Sequence, residues 1–249
     1  KKKLKKNNDF NFFLKEIEKE FNENPNSFLR CKYISQTIHP NEQLKVDKLF
    51  DELSNDKFSK KFILPFLNET AYGDPYISEK FRFASPMSIQ HAYYIYLIHK
   101  HFKIFLPRSN INYIVDFGGG YGNFCKIIHQ LGYTGKYSII DFEIMHKIQD
   151  KFISHNLPKK IYKDIDLNYT NSIDGLNNSY FHKDSIFIAT YSLSETTKEI
   201  RFKIEKNLHE FKYVFIIYQA YFDNIDNKAY FRHLEKKLKK KGSVKHIHL

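Results

Sequence analysis

The segment Ile114–Phe124 reads IVDFGGGYGNF, and this stretch decides the fold. Its β-branched start predicts a strand that ends near Asp116, and the glycines that follow predict a tight turn. From Phe124 to Leu131 the apolar residues recur at helical spacing, and Gly132 is a natural stop for that helix. A strand, a glycine turn and a helix in this order bring bare backbone to a helix N-terminus, where a small ligand can approach closely.

The same alternation continues to the end of the chain. Because short β-branched runs alternate with helical stripes, the sequence predicts an α/β fold, a Rossmann-like, doubly wound and mostly parallel sheet. The predicted strands are 111–116, 137–140, 160–165, 185–190 and 213–218, with a late strand at 246–249. The predicted helices are 124–131, 143–154, a stripe formed by Ile200, Ile204, Leu208 and Phe211, and 227–240.

Residues 1–110 have a different character and predict a helical N-terminal region. Apolar residues recur at helical spacing from Phe10 to Phe21 and again in 44–53, while Ser85 followed by Pro86 predicts an N-cap and the first position of a longer helix. We therefore expect a helical region over 1–110 that covers the active site and a ligand-binding Rossmann-like domain over 111–249.

Composition restricts the class of protein. The net charge of +12 is concentrated in lysine runs near both ends, and only five of the 40 cationic residues are arginines. Arginine is the residue best suited to bidentate contacts with bases and phosphates, so the sequence favours a solvated charge excess over a nucleic-acid partner. No apolar run is long enough to span a membrane and no signal peptide is evident, while the two cysteines indicate reduced thiols; we expect a cytoplasmic protein.

Two ligand classes compete for the glycine turn. The dinucleotide fingerprint requires a third glycine, and Asn123 occupies that position. Asp116 lies two residues before Gly118, where its charge would face a pyrophosphate unfavourably and would suit the methionine ammonium of S-adenosylmethionine (SAM). We therefore expect Asp116, Gly118, Gly119 and Gly120 to bind SAM.

A second acid follows the next predicted strand. Asp141 lies 25 residues after Asp116 and can accept hydrogen bonds from both ribose hydroxyls, while its neighbour Phe142 can flank the adenine. Tyr191 and Gln219 also fall at predicted strand ends. Since ligands of doubly wound sheets bind beyond the carboxyl ends of the strands, both can contact the cofactor or the acceptor.

These motifs resemble a known family. Asp116–Gly122 (DFGGGYG), Tyr137–Asp141 (YSIID) and Tyr191–Glu195 (YSLSE) are similar to segments of the sugar O-methyltransferases, which share the fold of class I SAM-dependent enzymes. The resemblance covers roughly residues 80–230. It implies SAM as the cofactor and the hydroxyl of a sugar as the acceptor, such as a nucleotide-sugar or a capsule or lipopolysaccharide precursor. The family commonly has Leu-Pro-Glu after the second acid, whereas this chain has Phe142 and Glu143.

Methyl transfer to a hydroxyl requires alignment of the acceptor oxygen and a base that removes its proton. Glu195 is the first candidate base and His91 the second, with His182 and His233 behind them. Asp164 with Asp166, or Asp223 with Asp226, could supply hard oxygen ligands, but scattered loop acids are commonly surface residues, and we expect no metal.

The acceptor stays open at this level. Methylation of another oxygen, as in a phosphoramidate or a small-molecule hydroxyl, is an alternative, and the charge leaves a nucleic-acid methyltransferase as a weaker one. A noncatalytic partner subunit with the same fold is a further possibility.

Overall fold

The computed structural model describes residues 8–38, 43–176, 178–181, 183–222 and 225–245. Its centre is a five-stranded parallel sheet in the order β3-β2-β1-β4-β5. The strands are β1 Tyr113–Phe117, β2 Lys136–Ile140, β3 Asp166–Thr170, β4 Ser185–Thr190 and β5 Tyr213–Ile217. The first strand, β1, lies in the middle of the sheet. The strands β2 and β3 follow on one side of it and β4 and β5 on the other, so the carboxyl ends of β1, β2 and β4 lie side by side.

Helices cover the sheet, and a two-stranded antiparallel pair follows β5. The helices are α1 Asn8–Glu23, α2 Lys32–Ile38, α3 Gln43–Asn55, α4 Lys57–Phe62, α5 Pro86–Phe102, α6 Asn123–Gln130, α7 Glu143–Asn156, α8 Lys159–Asp164, α9 Ser192–Glu195, α10 Lys198–Asn207 and α11 Asn227–Lys239; the pair is β6 Tyr221–Phe222 and β7 Ile225–Asp226. Over the described ranges, no helix combines the length and the apolar character needed to cross a membrane.

Two apolar cores occupy the two faces of the sheet. Ile114 of β1 belongs to the core shared with α1, α5, α6 and α7, whereas Val115 points to the other face and packs with α10 and α11. Alternate residues of a strand face opposite sides, and both sides of this sheet are apolar because helices cover both. The predicted α/β, doubly wound fold is confirmed, and the helical character of the region before β1 is observed as well.

The prediction of a strand over 160–165 is wrong. These residues lie in α8 and its C-cap, and the third strand is Asp166–Thr170. Pro158 precedes the helix and its carbonyl accepts a hydrogen bond from the Tyr162 amide at 3.0 Å, which closes the first turn. β3 lies at the sheet edge and is only half-buried, so its polar composition gave little strand signal.

The predicted stripe over 200–211 is buried at Ile204, Leu208 and Phe211 but not at its first position. Ile200 is exposed, and the inward positions of α10 and the following turn are Arg201, Ile204 and Leu208. Arg201 faces inward because its guanidinium donates to the carbonyls of Ser194, at 2.7 Å, and Thr196, at 3.1 Å. Phe211 is buried but lies beyond the helix. The predicted strand at 246–249 falls outside the described residues.

The N-cap prediction for the long helix is confirmed. Ser85 is extended, its hydroxyl accepts a hydrogen bond from the Ser88 amide at 3.1 Å, and Pro86 occupies the first helical position of α5. α5 then packs against both α3 and α6. The predicted boundary at residue 110 stays a prediction, since a single core cluster joins apolar side chains from both sides of it.

Candidate functional site

The glycine turn connects the end of β1 to the start of α6. Gly118, Gly120 and Gly122 all have positive φ, at 73°, 58° and 90°, a region that favours glycine over residues with a Cβ. The Gly118 amide donates to the Ile140 carbonyl of β2 at 2.9 Å, and the Gly122 amide donates to the Gly119 carbonyl at 3.0 Å. The first bond holds the turn against the neighbouring strand, and the second closes the turn itself.

The three predicted glycines meet different surroundings. A Cβ on Gly118 would lie 2.3 Å from Cβ of Ser192, and one on Gly119 would lie 2.8 Å from a methyl carbon of Ile139. A Cβ on Gly120 would meet nothing within 4 Å. The turn is therefore closely packed against α9 at Gly118 and against β2 at Gly119, and it presents open backbone at Gly120.

Asp116 lies below this turn in the last part of β1. Its side chain is 3% exposed, and Oδ2 accepts a hydrogen bond from the Tyr137 hydroxyl at 2.8 Å. Burial raises the pKa of Asp116 to about 7, although the Tyr137 bond acts in the opposite direction. The same Oδ2 would lie 3.2 Å from a Cβ on Gly119, so the carboxyl group supports the turn directly.

Asp141 directly follows β2 and reaches the same turn from the side. Its Oδ1 accepts from the Phe142 amide and its Oδ2 from Nε2 of Gln149, both at 2.9 Å. Burial raises the pKa of Asp141 to about 7, and the nearby charge of Asp116 raises it further against the effect of these bonds. The structure therefore brings the two predicted acids together, while Phe142 is exposed beside them at the N-cap of α7.

Gln149 joins the turn to the second acid, and sequence reasoning missed it. Its fully buried side chain donates through Nε2 to the Gly120 carbonyl, at 2.9 Å, as well as to Asp141. The available signal was a polar residue within the apolar face of α7, between Ile148 and Phe152. A buried amide at such a position requires partners, and here they are site elements.

Neither acid forms an ion pair with a cationic side chain in the described parts of the chain. Burying a carboxylate without a counter-charge costs free energy, and the raised pKa values of Asp116 and Asp141 express that cost. A ligand that brings a cationic group to Asp116 and hydroxyl donors to Asp141 would offset it. This is the chemistry that the arrangement offers.

Tyr191 lies at the carboxyl end of β4 in a strained conformation. Its φ of 69° and ψ of −35° are rare for a bulky side chain. The conformation is held by its amide, which donates to the Ile217 carbonyl of β5 at 2.7 Å, and by α9, whose Ser192 hydroxyl donates to the Phe117 carbonyl. The end of β4 is thereby attached to the start of the glycine turn.

Glu195, the first candidate base, is the last residue of α9. Its side chain is exposed, and Oε1 accepts a hydrogen bond from Nε2 of Gln219 at 2.9 Å. Gln219 follows β5, so the predicted strand-end residues Tyr191 and Gln219 flank Glu195 at the carboxyl edge of β4 and β5.

His91, the second candidate, lies on α5 on the other side of the turn. It is half-buried, and Nδ1 is 3.2 Å from Nδ2 of Asn123, the first residue of α6. Burial, followed by the Lys126 charge, lowers the pKa of His91 to about 3. One turn further along α5, the Tyr94 hydroxyl contacts the Tyr191 hydroxyl, which also raises the pKa of Tyr94 beyond the larger effect of burial. α5 therefore connects the His91 region to the end of β4.

A buried ion pair supports this wall and was also missed from the sequence. Glu69 and Lys126 lie 3.1 Å apart, with side chains only 3% and 1% exposed. Glu69 also accepts hydrogen bonds from the Ser85 amide, at 2.8 Å, and the Ser88 hydroxyl, at 2.7 Å. Burial acts to raise the pKa of Glu69, but Lys126 and these donors hold it below its usual value.

The remaining candidates lie elsewhere. His233 is exposed on α11, Asp166 pairs with Lys136 at 3.5 Å, and Asp226 caps α11 by accepting from the Lys228 amide. Asp164 ends α8, while His182 and Asp223 lie outside the described residues. Within the described ranges, no group of three or more histidine, cysteine or acidic side chains could hold a metal ion.

Two surface cavities of about 280 Å³ each lie away from the glycine turn. One is lined by Lys103, Arg108 and Lys212 near the amino ends of the strands, and the other lies between α10 and α11. Neither contains a predicted site residue. The candidate site is defined by its turn and carboxyl groups.

Comparison with known proteins gives only distant structural similarity. No protein-family model matches the chain, and no curated protein matches it. A solved structure of coclaurine N-methyltransferase bound to N-methylheliamine and SAH is 10% identical, covering 80% of this chain and 55% of that one with a TM-score of 0.36. An O-methyltransferase family protein from Burkholderia thailandensis is 9% identical, covering 79% and 49% with a TM-score of 0.31. The chain spans about half the length of both proteins, and at these TM-scores neither similarity carries an argument about its activity.

Proposed function

We propose that this chain is a class I SAM-dependent methyltransferase that acts on a hydroxyl group. The observation that carries the proposal is the pair Asp116 and Asp141, two desolvated carboxyl groups at the ends of neighbouring strands, on either side of a turn whose backbone is open at Gly120. The donor set fits SAM because the cofactor offers an ammonium group, a sulfonium and a ribose diol.

Each predicted residue has a specific role in this proposal. Asp116 stabilises the ammonium through the turn, Asp141 accepts hydrogen bonds from the ribose hydroxyls, and the exposed ring of Phe142 flanks the adenine. Gly120 contributes open backbone that a ligand can approach, Gly118 and Gly119 allow the close packing that holds this turn, and the strained Tyr191 contributes to the cofactor wall at the end of β4. Gln149 holds Asp141 and the turn in register.

A dinucleotide is the main rival ligand, and the structure provides a reason against it. The position of the third glycine is held by Asn123, which is fully buried and hydrogen-bonded to Ser88 and His91. A pyrophosphate there would face the carboxyl group of Asp116, and the lysine of the same helix, Lys126, is already paired with Glu69.

The proposed acceptor is a sugar hydroxyl, as in a nucleotide-sugar or a polysaccharide precursor, and this part rests on the family resemblance of the segments 116–122, 137–141 and 191–195. The bound cofactor supplies a methyl carbon activated by a sulfonium. Glu195 is exposed at the carboxyl edge and is held by Gln219, so it can accept the proton of an acceptor hydroxyl that approaches from solvent.

Isothermal titration with SAM tests the cofactor site. We expect Asp116→Asn and Asp141→Asn each to weaken SAM binding at least tenfold, since each keeps the size of the side chain and removes its charge. Asp174→Asn is the matched control, because Asp174 is exposed and paired with Lys203 on the surface. Unchanged affinity in both site variants would refute the proposed site.

The acceptor is tested by incubating the protein with SAM and a panel of sugars, nucleotide-sugars, phosphoramidates and RNA, followed by mass spectrometry for the gain of one methyl group. Glu195→Gln is expected to lower turnover roughly 10²–10⁴-fold with SAM affinity unchanged, as for loss of a general base. Glu199→Gln, an exposed acid in the first turn of α10, is the control. SAM binding without turnover on any acceptor would support a noncatalytic partner subunit instead.

A further inference from the structure

His91 on α5 is the last member of a series of hydrogen bonds that begins at the buried carboxylate of Glu69. Glu69 Oε2 accepts from the Ser88 hydroxyl at 2.7 Å, Ser88 Oγ lies 3.1 Å from Asn123 Nδ2, and the same Nδ2 lies 3.2 Å from His91 Nδ1. This series of hydrogen bonds joins the loop before α5, α5 itself and the first residue of α6.

Which atom donates and which accepts in each of these bonds follows from the ionised state of Glu69. The Lys126 ammonium and two further donors keep Glu69 ionised, so its carboxylate can only accept. Ser88 has one hydroxyl proton, and the carboxylate at 2.7 Å takes it in preference to Asn123 Oδ1 at 3.4 Å. Ser88 Oγ must then accept with its two lone pairs, from the Ser85 hydroxyl at 3.2 Å and from the amide nitrogen of Asn123 at 3.1 Å.

The Asn123 amide is thereby oriented, because its nitrogen faces both Ser88 and His91. This nitrogen carries two protons and donates one to each neighbour. His91 Nδ1 must accept, so it carries no proton. In a neutral imidazole the proton then resides on Nε2.

We propose that Glu69, Ser88 and Asn123 act as positioning residues that fix His91 in the neutral Nε2–H tautomer, so that His91 offers a hydrogen-bond donor beside the glycine turn. The low pKa of His91, caused first by burial and then by Lys126, agrees with a neutral ring. In the described parts of the chain the His91 ring hydrogen-bonds through Nδ1 and no bond to Nε2 is present, so the Nε2–H is not engaged by another residue.

The Nε2–H tautomer gives His91 and Glu195 different roles in the proposed site, and this consequence rests on the proposed function. An Nε2–H group cannot remove the proton of an acceptor hydroxyl, whereas it can donate to an acceptor oxygen or to a carboxylate of the ligand. Of the two candidate bases, Glu195 alone then accepts protons. The tautomer itself does not depend on any ligand.

Nitrogen-15 NMR of the histidine rings in the ligand-free protein tests the tautomer, with His91→Gln used for assignment. We expect the Nδ1 signal of His91 to have the shift of an unprotonated nitrogen between pH 5 and 8. His129 is an internal control, because its Nδ1 donates to the Tyr133 carbonyl at 2.9 Å and it must be the opposite tautomer. A protonated Nδ1 on His91 at pH 7 would overturn the proposal.

Ser88→Ala removes the acceptor that orients Asn123, and we expect it to convert the single His91 tautomer into a mixture. The unchanged His129 signal reports that the variant remains folded, and Ser154→Ala, on a half-buried serine of α7 whose hydroxyl bonds the Lys151 carbonyl of its own helix, should change neither ring. A His91 tautomer that is unaffected by Ser88→Ala would show that this series of hydrogen bonds does not set it. Loss of SAM binding or turnover has no bearing on this readout, so a failure of the proposed function is distinguishable.

Discussion

Asp116 is a carboxyl group held away from water, and its protonation is coupled to folding. Burial raises its pKa from 3.8 to about 7, so the folded chain binds this proton more tightly than the unfolded chain. The contribution of protonated Asp116 to the free energy of unfolding is therefore fully present below pH 4 and is lost as the pH rises through 7.

We accordingly expect Asp116→Asn to become more stable relative to the wild type as the pH rises from 5 to 7, by at most about 1.4 kcal/mol per pH unit. Urea unfolding at several pH values measures the difference. The comparison of the two proteins removes the contribution of His91 and His129 to the pH dependence of stability, which has the opposite sign because their pKa values are lowered. A difference that is independent of pH would contradict the prediction.

Gly118 and Gly120 separate backbone strain from steric overlap. Both have positive φ, but only at Gly118 would a Cβ collide with Ser192. We expect Gly120→Ala to destabilise the fold by about 1–2 kcal/mol from the left-handed conformation alone, and Gly118→Ala by clearly more. Thermal or urea denaturation gives both values, and equal losses would mean that the ends of β1 and β4 can separate freely.

Single residues differ in how far the sequence reveals them. Asp116 and the glycines belong to one local pattern, so the strand, the turn and the acid could be predicted together. Gln149 and the pair Glu69–Lys126 could not, since their partners lie 29 and 57 positions away along the chain. A polar residue on an apolar helix face was the only local sign of them.

At the scale of elements, the buried ion pair fastens the loop before α5 to α6. Removing one member leaves the other charge buried without compensation, which typically costs about 3–5 kcal/mol. We expect Glu69→Gln to lower the free energy of unfolding by this amount, measured by urea titration.

The double variant Glu69→Gln with Lys126→Met is the control for that experiment. It removes both charges and retains apolar volume above the Phe152 ring, which Lys126 Nζ approaches to 5.5 Å. Most of the lost stability should return. A double variant as unstable as the single one would indicate that the loss comes from packing and not from the unpaired charge.

Element boundaries were predictable where local signals agreed and failed where tertiary contacts decided. The N-cap of α5 and the buried strand β4 follow directly from the residues that form them. In the first turn of α10, Arg201 takes the inward position predicted for Ile200 because its guanidinium finds backbone acceptors in the core, and β3 was misplaced because an edge strand needs little apolar sequence. Partners of this kind are distant in sequence and leave no periodicity.

At the scale of the whole molecule, α5 connects the helical region to the sheet. Tyr94 lies 6.3 Å from Phe215 and Phe102 stacks on Tyr213 at 5.0 Å, both ring-centroid distances to β5. We expect residues 111–249 alone to lack a cooperative thermal transition and to bind a hydrophobic dye, because one face of the sheet would lose its cover. Addition of residues 1–110 should restore the transition. Cooperative unfolding of the isolated fragment would contradict a shared core.

The contact between α5 and β5 also has a consequence for synthesis on the ribosome. About 110 residues separate Phe102 from Tyr213, so at roughly 5–20 residues per second the helix waits on the order of 5–20 seconds for its strand. During that interval the apolar surface of α5 has no β5 to cover it. The nascent chain is therefore an expected client of chaperones that bind near the exit tunnel, and slower translation would lengthen its exposure.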